Sequence, residues 1–210
     1  MNLLRRSLVV FGAALLLLGS PHISWAKTQS PVNVVKIISF DCGLCYESNT
    51  MDRPIKEAVE SAGGIFDIAP IPRTSTDWRE RFYYVLRNYG PNVERAARDS
   101  LFRGSQEFSY PLMDIPEILD WLRQDMKVKG INWQKVVQQV KSPASAIPVE
   151  RAIRLVAASG ARLTPTYVLI RDGKVLAAYD IDSAPHENLS SLRQAVLAGI
   201  AKANASGSKG

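Results

Sequence analysis

The reading turns on one stretch, Val32-Asn33-Val34-Val35-Lys36-Ile37-Ile38-Ser39-Phe40-Asp41-Cys42-Gly43-Leu44-Cys45-Tyr46. Its first nine residues are β-branched and mostly apolar, the pattern of a strand buried on both faces. The strand runs straight into a C-x-x-C pair, and from Tyr46 to Ala62 the apolar residues Ile55, Val59 and Ala62 recur on one helical face. Pro54 predicts a kink in that helix. A pair of cysteines where a buried strand meets a helix has a chemical consequence. The first thiol lies beside unpaired backbone N–H groups and the positive end of the helix dipole, both of which favour a thiolate. Cys42 is therefore the candidate nucleophile. Cys45, one turn on and facing the same side, can close a small-loop disulfide with it. Other readings of the pair are a structural disulfide, half of a metal site, and two buried thiols. A disulfide spanning only two residues constrains little of the unfolded chain, and His186 is the one histidine after residue 26 available to complete a metal site.

Outward from this stretch, Gly63-Gly64 ends the helix and Ile65 to Ile71 reads as a second strand, with Pro70 placing it near an edge. Residues 74–160 carry helix signatures separated by Tyr89-Gly90-Pro91, Tyr110-Pro111, Gly130 and Ser142-Pro143. Asp114 is the expected N-cap of a helix from Ile115 to Val128. Thr166 to Ile170 and Lys174 to Tyr179 flank Asp172-Gly173, a hairpin signal. Glu187 to Ala203 reads as a last amphipathic helix, and residues 204–210 as a polar, disordered tail. The order is strand, helix, strand, helical insert, hairpin, helix: an α/β chain.

The N-terminus, residues 1–26, reads as a cleaved secretory signal. It has Arg5-Arg6, an apolar run from Leu8 to Leu18, and Ser24-Trp25-Ala26 before the expected cut. The run is too short for a spanning helix. Residues 27–31 form a short leader. The mature chain is expected in an oxidising compartment, most simply a bacterial periplasm. Across the 210 residues, 26 basic and 20 acidic side chains set a formal charge of +6, and 46% of residues are hydrophobic. Loss of Arg5 and Arg6 leaves about +4, too little for the clustered basic stripe of a nucleic-acid binder. Two cysteines exclude a multi-disulfide scaffold. No cofactor and no metal is expected.

Phe40-Asp41-Cys42-Gly43-Leu44-Cys45-Tyr46 after a strand, with Thr164-Pro165-Thr166-Tyr167 opening a later hairpin, resembles the thioredoxin superfamily. The long insert, and the succession Leu101-Phe102-Arg103-Gly104, Ile115, Trp121 and Thr164-Pro165, is similar to the DsbA-type periplasmic thiol oxidases. The resemblance covers about residues 32–203. It implies a thioredoxin-like fold with the insert between the second strand and the hairpin, and a cis Pro165 facing the cysteines. Thr164, Gly43 and Leu44 would then contact substrate. It also implies a monomer acting on exported cysteine-containing proteins, with a membrane reoxidase or reductase as partner. Gly43-Leu44 stands where such oxidases carry Pro-His. The threonine before the proline is similar to the DsbC and DsbG isomerases, whose N-terminal dimerisation domain has no room between Lys27 and Val32. A reductase or isomerase, or a non-catalytic chaperone or assembly module, is the alternative activity.

Lys36 occupies the position where thioredoxin-like proteins place a buried carboxylate. There it either favours the Cys42 thiolate or snorkels to water, while Asp41 disfavours the thiolate or faces solvent. Arg79, Arg81 and Arg87 read as a solvated basic side of one helix.

Overall fold

The computed structural model describes residues 30–74 and 76–206. The signal segment 1–26 and residues 207–210 of the expected tail lie outside the described residues. One four-stranded sheet organises the chain in the order β2-β1-β3-β4. β1 (Asn33–Ile38) is central, parallel to β2 (Phe66–Pro70) and antiparallel to β3 (Thr166–Arg171), which pairs antiparallel with β4 (Lys174–Tyr179). The β3–β4 turn has Asp172 and Gly173 at φ 49° and 73°, the left-handed pair that a two-residue hairpin requires.

Between the parallel strands the chain does not form one kinked helix. α1 (Gly43–Glu47) gives way to a 3-10 turn (Ser48–Met51) and then α2 (Asp52–Ser61). Pro54 is the cause, although the break falls ahead of it. Its ring cannot coexist with a helical carbonyl at Thr50, so the chain leaves the α-helix there, and Pro54 sits in the first turn of α2, where a missing N–H costs nothing.

The insert consists of α3 (Trp78–Arg87), α4 (Pro91–Gln106), α5 (Ile115–Asp125), α6 (Trp133–Lys141) and α7 (Ala146–Ser159). Each expected separator falls between two of them. Asp114 caps α5 by accepting from the Glu117 N–H at 2.9 Å, and Glu117 accepts from the Met113 N–H at 2.8 Å, a reciprocal cap that fixes the helix start. α5 ends at Asp125, three residues before the expected Val128. α8 spans Leu189–Ser206. Residues 204–206, expected in the tail, continue that helix, because Ile200 is buried and the Ala203 carbonyl is held by Arg171 at 2.9 Å.

Two apolar cores result. Val34, Tyr167 and Leu169 of the sheet pack with Ile55 and Val59 of α2 and with Leu192, Val196 and Ile200 of α8. Ile38, Phe40, both cysteines and Ile68 pack with Phe82, Leu86, Leu101, Phe102, Ile118 and Leu122 of the insert. The cysteine pair therefore lies where the strand end meets the insert.

Candidate active site

β1 gives way to a turn at Phe40–Asp41, closed by the Cys42 N–H donating to the Ser39 carbonyl at 3.1 Å, and Cys42 (φ −104°, ψ 108°) is extended and caps α1. The Cys42 carbonyl accepts from the N–H groups of Cys45 and Tyr46 at 3.0 and 3.2 Å, and its Sγ accepts from the Cys45 N–H at 3.0 Å. The N–H donated to Sγ is the contact that stabilises negative charge on a capping sulfur. The two cysteines form a disulfide with a Cα separation of 5.2 Å. Cys42 retains 6% exposure and Cys45 none, while Gly43 and Leu44 between them are exposed.

The sheet brings in the second half of the site. Ile37 pairs with Thr166, so the chain entering β3 lies beside the chain leaving β1. The Thr164–Pro165 peptide there is cis, and the Thr164 carbonyl oxygen is 3.1 Å from Cys42 Sγ. Pro165 is buried and Thr164 half-buried. Cys42, Cys45, Thr164 and Pro165, 120 residues apart in two groups, thus form one cluster.

The insert grips this cluster from the other side. Gln106 donates to the Phe40 carbonyl at 2.8 Å, and the Tyr46 hydroxyl donates to Glu107 at 2.6 Å. Arg79 is the residue that sequence reasoning missed. Far from being solvated, its side chain is 2% exposed and donates from both terminal nitrogens to Asp41, at 2.6 Å each, and to Ser105 Oγ at 3.1 Å. Positions 79, 82, 83 and 86 share one helical face, and Phe82, Tyr83 and Leu86 are buried. That spacing is the signal that places Arg79 inside. Arg81 and Arg87 do lie nearer solvent, paired with Asp77 and Asp67. Burial opposes the Arg79 charge, but the Asp41 hydrogen bonds and the nearby Glu80 outweigh it and hold the guanidinium above the ordinary arginine value. Glu80 is fully buried, and neither carboxyl oxygen has a hydrogen-bond partner among the described residues. Burial, against the pull of Arg79, pushes its carboxyl up to about 7.

Lys36 does not snorkel. It is fully buried and donates to Asp52 at 2.8 Å and Asn49 at 3.3 Å, and Asp52 also accepts from the Tyr167 hydroxyl at 2.9 Å. Residues 34–37 pair on both sides, so Lys36 lies in the middle of the sheet, and its side chain runs to Asp52 at the start of α2 and Asn49 in the 3-10 turn. Burial lowers its ammonium to about 8, although Asp52 works to raise it. Its charge faces a carboxylate instead of standing free beneath Cys42. Among the described residues no three His, Cys, Asp or Glu side chains are grouped to hold a metal, and no helix is long and apolar enough to cross a membrane.

With this arrangement of sheet, insert and cysteine pair, the chain superposes on Pseudomonas aeruginosa DsbA with a TM-score of 0.66 at 22% identity, over 86% of this chain and 88% of that one. The chain has the DsbA fold. Xylella fastidiosa DsbA is similar at TM-score 0.63 and 15% identity, over 84% of this chain and 88% of that one. Salmonella enterica serovar Typhimurium SrgA is similar at 0.61 and 18%, over 86% and 96%. No protein-family model matches the chain, and no curated protein does. The DsbA fold is thioredoxin-like with a helical insert, so the expected architecture is the observed one.

Proposed function

We propose that this protein is a thiol–disulfide oxidoreductase of DsbA type that transfers its Cys42–Cys45 disulfide to exported cysteine-containing proteins. The observation that carries the reading is the disulfide at a helix start, with Cys42 at 6% exposure, Cys45 sealed, and the Thr164 carbonyl 3.1 Å from Cys42 Sγ. A substrate thiolate attacks Cys42 Sγ, and the electron pair of the broken S–S bond leaves on Cys45, which takes up a proton. A second substrate thiolate then attacks the substrate sulfur of the mixed disulfide and expels Cys42 as a thiolate. The substrate dithiol is oxidised and the enzyme disulfide reduced by the same two electrons.

Gly43, Leu44 and Thr164 are the surface that meets the substrate. Pro165 lacks an N–H, which leaves the Thr164 backbone to pair with an extended peptide. Asp41 and Lys36 tune the cysteines electrostatically, each restrained by its partner, Arg79 or Asp52. A membrane reoxidase or reductase resets the pair, and the chain works as a monomer in the periplasm after residues 1–26 are removed.

The test mixes oxidised protein with a reduced two-cysteine peptide. One peptide disulfide should form per enzyme disulfide lost, Cys42→Ser should abolish the reaction, and Cys45→Ser should accumulate a mixed disulfide through Cys42. Exchange that survives Cys42→Ser overturns the assignment. The equilibrium with glutathione fixes the direction: a pair readily reduced by glutathione is an oxidase or isomerase, and one that resists reduction is a reductase.

A further inference from the structure

The carboxylate of Asp41 is one residue from the sulfur that becomes negative on reduction, and like charges so placed oppose each other. Left alone, it would work against the helix start that favours the Cys42 thiolate. The structure provides a counter-charge. Arg79 reaches from α3 and covers both Asp41 oxygens at 2.6 Å, while its third contact, to Ser105 on α4, fixes the guanidinium from behind. The two charges are not equally screened. The Asp41 side chain is 32% exposed and the Arg79 side chain 2%, so water weakens the field of the carboxylate more than that of the guanidinium.

We propose that Arg79 is a positioning residue of the redox centre, cancelling the Asp41 carboxylate and holding it in place so that the Cys42 thiolate forms as if that carboxylate were absent. The proposal rests on the redox reading of the cysteine pair and adds the residue that sets its electrostatics. Other ionisable groups on these helices and their ends include Asp77 at the N-cap of α3, Glu80 on α3, Arg103 on α4, which pairs with Asp125, and Glu107 just past α4. Glu107 is occupied by Tyr46 and Asp77 by Arg81. Glu80 is close enough to both Arg79 and Asp41 to interact with each. With its carboxyl pushed up to about 7, Glu80 adds to the charge that Arg79 must balance only above that pH.

The experiment compares the parent, Arg79→Met, Asp41→Asn and the double variant, all reduced, by thiolate absorbance across pH and by equilibration with glutathione. Arg79→Met should leave about tenfold less Cys42 thiolate at a fixed pH below its pKa, a shift of about one pKa unit. It should shift the glutathione equilibrium toward the protein disulfide in the same sense. Asp41→Asn should do the reverse by a similar factor, and the double variant should return to the parent curve. A double variant as far from the parent as Arg79→Met, or single variants that coincide with the parent, overturn the proposal and leave Arg79 as packing. If Arg79→Met does not fold, Asp41→Asn against the double variant decides alone: superimposable titrations overturn the proposal. A parent whose disulfide does not exchange with glutathione refutes the redox reading, while the thiolate titrations still decide on Arg79.

Discussion

Two buried charge clusters flank the cysteines, and they treat their cations differently. Beneath the sheet, Lys36 meets Asp52 at 2.8 Å with Tyr167 and Asn49 completing the shell. At the junction with the insert, Arg79 meets Asp41 through both terminal nitrogens, with Glu80 close behind. Burial dominates the first cluster and draws the ammonium down to about 8. In the second, the planar fork of the guanidinium makes two charge-assisted bonds at once, and the charge persists. A lysine in the core can lose its proton near neutral pH, whereas an arginine at the rim is a fixed positive charge. Only the second can balance Asp41 at every working pH.

The comparison breaks most visibly if Asp52 is removed. Asp52→Ala strands the Lys36 ammonium, and denaturant unfolding at pH 7 should show a loss of about 3–5 kcal/mol. The loss should shrink as pH rises toward 8 and level off above it, because without Asp52 the Lys36 ammonium sheds its proton at a lower pH than in the parent.

A second, somewhat smaller effect follows from the same lysine. Its folded value of about 8 lies below the ordinary 10.5, so between those values the unfolded chain binds more protons and stability rises with pH. The parent should gain up to about 3 kcal/mol relative to Lys36→Met as pH climbs from 8 toward 10.5. Tyr167, held protonated well above its usual range by burial and Asp52, pulls the other way above pH 10. The cleanest window is therefore pH 8 to 10. Parallel stability profiles for the two proteins would mean that Lys36 is as freely solvated as an exposed lysine.

The smallest effect sharpens the other cluster. Glu80 has a folded value of about 7 against an ordinary 4.5, so stability falls as pH rises from 4.5 through 7. Glu80→Gln removes that fall but leaves an amide without partners, and the net gain at pH 8 should be about 1 kcal/mol. At pH 4.5, where the folded carboxyl is already neutral, the gain should turn into a loss of about 2 kcal/mol. A gain that is constant with pH would point to packing in place of charge.

The sequence by itself determined the order of elements, the separators between the insert helices, the Asp172-Gly173 turn and the C-x-x-C at a helix start. Each of these depends on neighbours within a few residues: turn chemistry, caps and periodicity. Thr164-Pro165 became legible by resemblance, since nothing local ties it to residues 42–45. Tertiary structure alone decided which charges are buried and with whom. Lys36 looked free to reach water because its partner, Asp52, is 16 residues away across a helix break that Pro54 moves upstream. Arg79 looked solvated because the count of arginines on α3 hid the fact that position 79 shares the Phe82–Leu86 face. The extension of α8 to Ser206 likewise required Arg171, from β3, to hold the Ala203 carbonyl. An ion pair's worth depends on the inverse of distance and on the water excluded around it. Neither quantity exists until the chain has folded.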